Sequence, residues 1–150
     1  MEGDPRSRGH EALPHTADVG LRGWGPTAAV AFEEAAAALA DLTAELVAPE
    51  GVQRARPEAI DLGAYDLVGL AYAWLNELVG LIDLHGAIVD LDIAAIERTA
   101  DRWRLRGRVG LTSFDGQAVR RRADVKSATY HGLTVEDEDG AWTLTSYIDV

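Results

Sequence analysis

The chain has 150 residues and no cysteine, which excludes thiolate zinc sites, iron–sulfur clusters and cysteine nucleophiles. Its hydrophobic content of 47% suffices for one domain with its own core. Its net charge of -11 argues against strong sequence-independent binding to the phosphates of nucleic acid. No apolar run approaches the length of a membrane span, and residues 1–10 are unlike a secretory signal. We therefore expect one cytoplasmic domain over residues 1–150 that contacts no membrane.

The beginning of the chain predicts a loose segment, a strand and a helix. Residues 1–13 carry no clear periodicity and are expected to be loosely ordered. Residues 19–24 predict a strand, which is followed by glycine and proline. Thr27 has a side chain suited to a helix N-cap, and apolar residues at helical spacing then predict a helix that runs to about residue 46.

A second strand and a second helix are predicted next. Residues 52–62 predict a strand in which Pro57 favours a position at the edge of a sheet, because proline cannot donate to the ladder. Residues 64–83 predict a helix with its large apolar side chains on one stripe, while Asp66, Asn76 and Glu77 lie away from the centre of that stripe.

The second half of the chain changes from helical to alternating periodicity. Strands are predicted over residues 87–93 and 102–109, followed by a polar loop over 113–124. Two more strands, over 125–135 and 141–150, flank an Asp-Gly dipeptide that is typical of a β-hairpin. The whole order indicates an α+β fold: a single domain with a mainly antiparallel sheet and two helices packed on one face.

Basic residues are concentrated in one part of the chain. Residues 98–126 carry a net charge of +6, which leaves -17 for the remainder. Four arginines alternate with apolar residues along one predicted strand: Arg102, Arg104, Arg106 and Arg108. Such a row is typical of the solvated face of a half-buried strand, although it would also suit contact with RNA or an acidic partner. The run Arg120 to Arg122 falls in the predicted loop and receives no role.

Lys126 is the only lysine among the 14 basic side chains. It lies in the segment VKSATYHG at residues 125–132. A compact ammonium and a planar guanidinium are not interchangeable. A single lysine in a chain that otherwise uses arginine is therefore a candidate functional residue. One explanation is a specific need for an ammonium, and the other is the chance survival of one lysine.

Carboxylates near the two ends of the chain form a candidate metal site. Asp149 and the α-carboxylate of Val150 offer two adjacent oxygen donors, and Asp18 would add a third if the first strand paired beside the last. Hard cations such as Ca²⁺ and Mg²⁺ prefer oxygen ligands. The alternative is that Asp18 only stabilises a turn and that Asp149 is a solvated side chain at a frayed end.

Four segments, in order along nearly the whole chain, resemble the archease family. They are HTADVG at residues 15–20, WLNEL at 74–78, VKSATYHGL at 125–133 and IDV at 148–150. The resemblance implies a small accessory protein of the RtcB-type RNA ligase. Such a protein promotes guanylylation and multiple turnover of the ligase in tRNA splicing or RNA repair, contacts RNA only indirectly or weakly, and is not itself an enzyme.

The resemblance also implies roles for particular residues. It implies a divalent-metal site formed by Asp18, Asp149 and Val150. Calcium is the ion expected first, and magnesium or manganese would also be compatible. It makes Lys126 a functional residue, for which we expect contact with a phosphate or with the partner. We expect three further side chains to support these groups: His15, Tyr130 and His131.

Two other classes of function stay open on the sequence. The same carboxylates would suit a small stand-alone metal-dependent phosphoester hydrolase that activates water. A hydrolase would act alone, whereas an accessory protein would be inert towards phosphoesters and would accelerate a ligase. A purely structural oligomer module is the third class, for which metal removal would change stability only.

Overall fold

The computed structural model describes residues 7–13, 18–52 and 55–150. In this part of the chain there are two helices, nine strands and one short 3-10 helix, Pro49–Gly51. The helices are α1 (Ala28–Thr43) and α2 (Leu67–His85). The strands are β1 (Gly9–Leu13), β2 (Asp18–Gly25), β3 (Ala44–Leu46), β4 (Arg56–Ala64), β5 (Ala87–Thr99), β6 (Arg102–Thr112), β7 (Val119–Arg121), β8 (Ser127–Glu138) and β9 (Ala141–Asp149).

All strand pairs in the described residues are antiparallel and form three sheets. The largest has the order β1-β2-β9-β8, the second has the order β4-β6-β5, and β3 pairs with β7. Helix α1 contacts β2 of the four-stranded sheet and β5 of the three-stranded sheet. Helix α2 contacts β8 of the four-stranded sheet and β4 of the three-stranded sheet. The predicted α+β single-domain fold, mainly antiparallel with two helices, is confirmed.

Helix α1 begins where the sequence predicts and lies directly on β2. The side chain of Thr27 accepts a hydrogen bond from Val30 N at 3.1 Å, which caps the first turn. A Cβ on Gly23 would lie 2.3 Å from the backbone nitrogen of Ala35, so only glycine fits at this crossing. The alanine-rich face of α1 therefore permits a close approach of helix and strand.

Helix α2 forms the centre of the core. Asp66 caps it by accepting from Gly69 N at 2.7 Å, and Trp74 is fully buried with its indole N–H donating to the carbonyl of Phe32 at 3.0 Å. With a mean hydropathy of 1.4 over 18 residues, α2 meets a length and composition test for a membrane span. Core helices meet the same test, and the apolar stripe of α2 packs inside this domain.

Besides shifted or longer ends of other strands, such as β5, which continues to Thr99, three features differ from the sequence prediction. Gly9–Leu13 forms β1 along β2, so the expectation of a loosely ordered start is corrected for these residues. Helix α1 ends at Thr43 because the next residues leave the helix to form β3. Their partner β7 lies inside the segment predicted as a loop over residues 113–124. Both short strands depend on each other across a long stretch of sequence, which local periodicity cannot reveal.

Candidate functional site

Two aspartates face each other at one end of the four-stranded sheet. Strands β2 and β9 pair with Asp18 directly opposite Asp149, and on the other side of β9 Asp149 is opposite Ser127 of β8. Directly opposite residues point to the same face of an antiparallel sheet, with Cβ atoms about 4.5–5.5 Å apart. The register therefore brings together two acidic residues that are far apart in the sequence.

This pair of carboxylates has no ion-pair partner in the part of the chain that the structure describes. Like charges directly opposite in a sheet are unfavourable, and within the described residues neither Asp18 nor Asp149 forms an ion pair. Both are half-buried, and the adjoining Val150 is 41% exposed. Because both of these side chains offer oxygen donors, the pair is chemically suited to a hard divalent cation.

Side chains alone do not complete a metal site in the described part of the chain. No group of three or more His, Cys, Asp or Glu residues there is arranged to hold a metal ion. The third ligand expected from the sequence, at Val150, follows Asp149 directly in the chain and stays a prediction. His15 lies outside the described residues.

The lone lysine lies beside the aspartate pair. The backbone N–H of Lys126 donates to the carbonyl of Asp149 at 2.8 Å. Its side chain is exposed, and its ammonium makes no ion pair with the residues that the structure describes. A free ammonium and two facing carboxylates thus share one corner of the sheet.

The segment after Lys126 departs from a regular strand. The register between β8 and β9 shifts between Thr129 and Thr134, so that residues 130–133 bulge opposite Ser146 alone. Gly132 has a φ of +74°, and a Cβ there would lie 2.7 Å from the ring of Tyr147. Bulges of this kind often redirect side chains next to functional sites. A glycine is required here both by the backbone conformation and by the neighbouring ring.

Tyr130 leaves the sheet at this bulge and contacts α2. Its ring stacks on that of Tyr72, with the ring centroids 4.1 Å apart and the planes at 19°. Tyr130 is nevertheless 57% exposed, and His131 beside it is also exposed. The expectation that these two residues orient the lysine stays a prediction, while the stacking shows how Tyr130 itself is positioned.

Asn76 of α2 is a residue whose contact the sequence did not reveal. Its Nδ2 donates to the carbonyl of Ala128 at 3.0 Å, and its Oδ1 accepts from the N–H of Ala128 at 2.9 Å. In the sequence Asn76 is only a polar position beside the apolar stripe of a helix. The available signal was its location next to the buried Trp74 and Leu75, where an unpaired amide would be costly.

Two of the four arginines of the β6 row form ion pairs within the protein. Arg104 forms a two-point pair with Asp61, at 2.9 and 2.6 Å, and Arg106 contacts Glu97 at 2.9 Å. The hydrogen bond from Arg104 lowers the pKa of Asp61, and the same bond raises the pKa of Arg104. These pairs favour the interpretation of the row as a solvated face.

The three arginines of the predicted loop are also engaged locally. Arg120 contacts Glu45 at 3.2 Å, Arg122 donates to the carbonyl of Asp41 at 2.9 Å, and Arg121 lies 4.0 Å from the centre of the Phe114 ring. The contacts of Arg120 and Arg122 join β7 and the residue after it to β3 and to the end of α1.

A second charged cluster ties β1 to α1. His10 lies between two carboxylates, 2.5 Å from Glu34 and 3.1 Å from Asp41, and Arg8 also pairs with Glu34. Burial by itself lowers the pKa of His10, but its hydrogen bonds to Glu34 and Asp41 outweigh burial and raise it. Burial raises the pKa of Glu34, but the bonds from His10 and Arg8 lower it overall.

Fold and site together define a class: small α+β domains in which the strand near the start of the chain pairs with the strand at its end, aspartate opposite aspartate. The family model of the archease protein family (MTH1598/TM1083) matches residues 10–150. The chain therefore belongs to the archease family. Protein archease of Pyrococcus furiosus is 34% identical over 93% of this chain and 97% of its own length, and that of Methanopyrus kandleri is 32% identical over 93% and 98%.

Solved structures agree with this assignment. The solution structure of protein 1598 from Methanobacterium thermoautotrophicum matches with a TM-score of 0.78 and 27% identity, over 95% of this chain and 99% of that chain. A crystal structure from Thermotoga maritima, described as an archease and possible chaperone, matches with a TM-score of 0.56 and 15% identity over 93% and 96%. The latter supports the fold alone.

Proposed function

We propose that this protein is a metal-binding accessory protein that activates an RtcB-type RNA ligase in tRNA splicing or RNA repair. In this role it promotes guanylylation and multiple turnover of the ligase. The observation that carries the proposal is the register that sets Asp18 opposite Asp149, with Lys126 beside them, in a member of the archease family. The protein itself would be an activator without ligase activity, acting in the cytoplasm and contacting RNA only indirectly.

The proposed roles follow from the chemistry of the side chains. Asp18, Asp149 and the α-carboxylate of Val150 would hold a divalent ion, with calcium expected first and magnesium or manganese also suitable. Such an ion neutralises negative charge on phosphates and carboxylates. Lys126 is exposed and its ammonium would contact a phosphate or an acidic group of the ligase. An accessory factor of this kind acts by favouring one conformation of its partner.

The decisive experiment measures multiple-turnover RNA ligation by an RtcB-type ligase with and without this protein. We expect wild type to accelerate turnover and Asp18→Asn and Asp149→Asn to lose this effect, because each removes one carboxylate while keeping the shape of the side chain. Asp101→Asn is the matched control, since Asp101 is exposed in the turn between β5 and β6, away from the paired aspartates.

Three outcomes would contradict the proposal. The first is no acceleration by wild type, and the second is full acceleration by both site variants. The third is hydrolysis of phosphoesters by this protein alone in the presence of divalent ions, which would favour the stand-alone hydrolase. Repeating the ligase assay after chelation and after return of each ion identifies the metal that supports activation.

A further inference from the structure

Strand β8 has an open side at the point where it enters the site. It is the outer strand of its sheet, with β9 as its neighbour on one side. Ala128 in β8 is only 2% exposed, so its backbone groups cannot rely on water. Buried backbone N–H and C=O groups that lack a neighbouring strand need another partner.

Asn76 supplies that partner from the adjacent helix. A primary carboxamide offers a donor and an acceptor side by side, as a peptide unit does. Asn76 uses both on Ala128, and its Nδ2 also donates to the carbonyl of Tyr72 at 3.1 Å. One side chain thus takes the place of one rung of a missing fifth strand.

The location of this rung connects the core to the site. Ala128 follows Ser127, which is opposite Asp149, and comes two residues after Lys126. After Thr129 the ladder is interrupted by the bulge, so the segment receives little support from β9 on that side. Asn76 itself is fixed, because the preceding Trp74 and Leu75 are fully buried in the core.

We propose that Asn76 is a positioning residue that sets the course of the Lys126 segment next to the aspartate pair. This inference rests on the proposed function and deepens it. It assigns to α2 a part in the site although none of its side chains is a proposed metal ligand. Asn76→Asp is the informative change, because an aspartate can still accept from Ala128 N–H but cannot donate to its carbonyl.

The first test is hydrogen exchange of the isolated full-length protein. In Asn76→Asp and Asn76→Ala we expect faster exchange at Lys126, Ser127 and Ala128, with the central residues of α2 protected as in wild type. Glu77→Ala is the matched control on the same helix, since the exposed side chain of Glu77 makes no hydrogen bond or ion pair among the described residues. Unchanged exchange at the three amides, or equal changes in the control, would overturn the inference.

The second test is a titration of the variants in the ligase assay. Loss of a residue that positions the groups of a site often costs about 10–100-fold in activity. We therefore expect Asn76→Asp to lower the maximal stimulated turnover by at least about tenfold. The protein concentration for half-maximal stimulation should change less, because Asn76 is not a contact surface. Asn76→Gln, which keeps the carboxamide on a longer stem, should recover part of the turnover.

The two proposals fail in different ways. If wild type does not stimulate the ligase, the proposed function fails, and hydrogen exchange alone decides the role of Asn76. If wild type stimulates and Asn76→Asp does so equally well, the positioning role is wrong and the proposed function stands. A variant that melts near wild type yet loses turnover separates positioning from loss of folding.

Discussion

Two parts of the molecule carry conspicuous charge, and they handle it in opposite ways. On β6, Arg104 forms an ion pair with Asp61 of one neighbouring strand, and Arg106 forms one with Glu97 of the other. At the end of the four-stranded sheet, Asp18 faces Asp149. The first arrangement is internally balanced and needs no ligand. The second leaves like charges opposed, which is the arrangement that a bound cation would relieve.

This comparison indicates where to look for function in a charged surface. Rows of charge are conspicuous in sequence, yet Arg104 and Arg106 in the middle of the arginine row are paired with acidic residues of the neighbouring strands. The candidate site was predicted instead from a single lysine and from acidic residues at distant positions of the sequence. The four predictions below test this contrast, from the largest expected effect to the smallest.

The largest effect is expected from Gly132→Ala, at the bulge beside the site. Gly132 and Gly140 both have positive φ, of +74° and +85°, but only at Gly132 would a Cβ meet another side chain, the ring of Tyr147. Backbone strain and overpacking together should lower the free energy of unfolding of Gly132→Ala by about 2–4 kcal/mol. Gly140→Ala should lose about 1 kcal/mol from strain alone.

Urea unfolding followed by tryptophan fluorescence measures both losses. Equal losses in the two variants would mean that the ring of Tyr147 moves aside easily. In that case the contact between residue 132 and the Tyr147 ring does not hold the bulge rigidly in place.

The next effect concerns divalent ions. Wild type should gain about 2.7 kcal/mol of stability at an ion concentration 100 times its Kd, and Asp18→Asn should gain far less. In the presence of a chelator, Asp18→Asn should be as stable as wild type or more stable, because the substitution removes a like-charge contact with Asp149. Calorimetric melting with Ca²⁺, Mg²⁺ and Mn²⁺ measures this effect. If the Tm of wild type stays unchanged with all three ions, the proposed cation site is wrong.

A smaller, pH-dependent effect is expected at His10, where charge is balanced as on β6. The folded-state pKa of His10 is raised above its ordinary value of 6.5, so its stabilising contribution is complete below that value and is lost as pH rises through the folded pKa. The folded-state pKa of Glu34 is lowered from 4.5, so its contribution is present above that value and is lost as pH falls through the folded pKa.

His10→Gln should therefore lower Tm more at about pH 5.5 than at about pH 8.5. The comparison uses wild type at both pH values, and Glu11→Gln on the same strand serves as a control, because Glu11 is exposed and pairs with Arg22 instead. A Tm difference between wild type and His10→Gln that does not depend on pH would show that folding does not shift the pKa of His10.

The smallest effect is expected from the arginine row. Combined charge reversal of Arg104 and Arg106 should leave ligase stimulation unchanged, since both residues are occupied by pairs within the sheet. Lys126→Ala is the contrasting variant and should reduce stimulation. A loss with the arginine variant as large as that with Lys126→Ala would make the row a partner surface and remove the contrast.

Local chemistry predicted most of the framework. The cap at Thr27, the apolar stripe of α2, the edge position of Pro57 in β4 and the hairpin at Gly140 each depend on a few neighbouring residues. The edge strand β1 and the pair β3 and β7 were missed. Their residues carry little apolar alternation, and they are strands only because a distant segment supplies their hydrogen bonds.

The candidate site divides in the same way. Asp18, Lys126 and Asp149 were identified in the sequence, but their adjacency depends on a register between strands from opposite ends of the chain. Asn76 was not identified, because periodicity shows only that it is polar. Its two bonds to Ala128 exist only once α2 has packed beside β8.

The sequence by itself determined the class of fold, the family resemblance and the residues with unusual chemistry, since these are written in local spacing and composition. The tertiary structure alone decided which charges are balanced and which face a like charge. The physical reason is that electrostatic balance depends on distances across strands and helices, and those distances are set by register and packing over the whole domain.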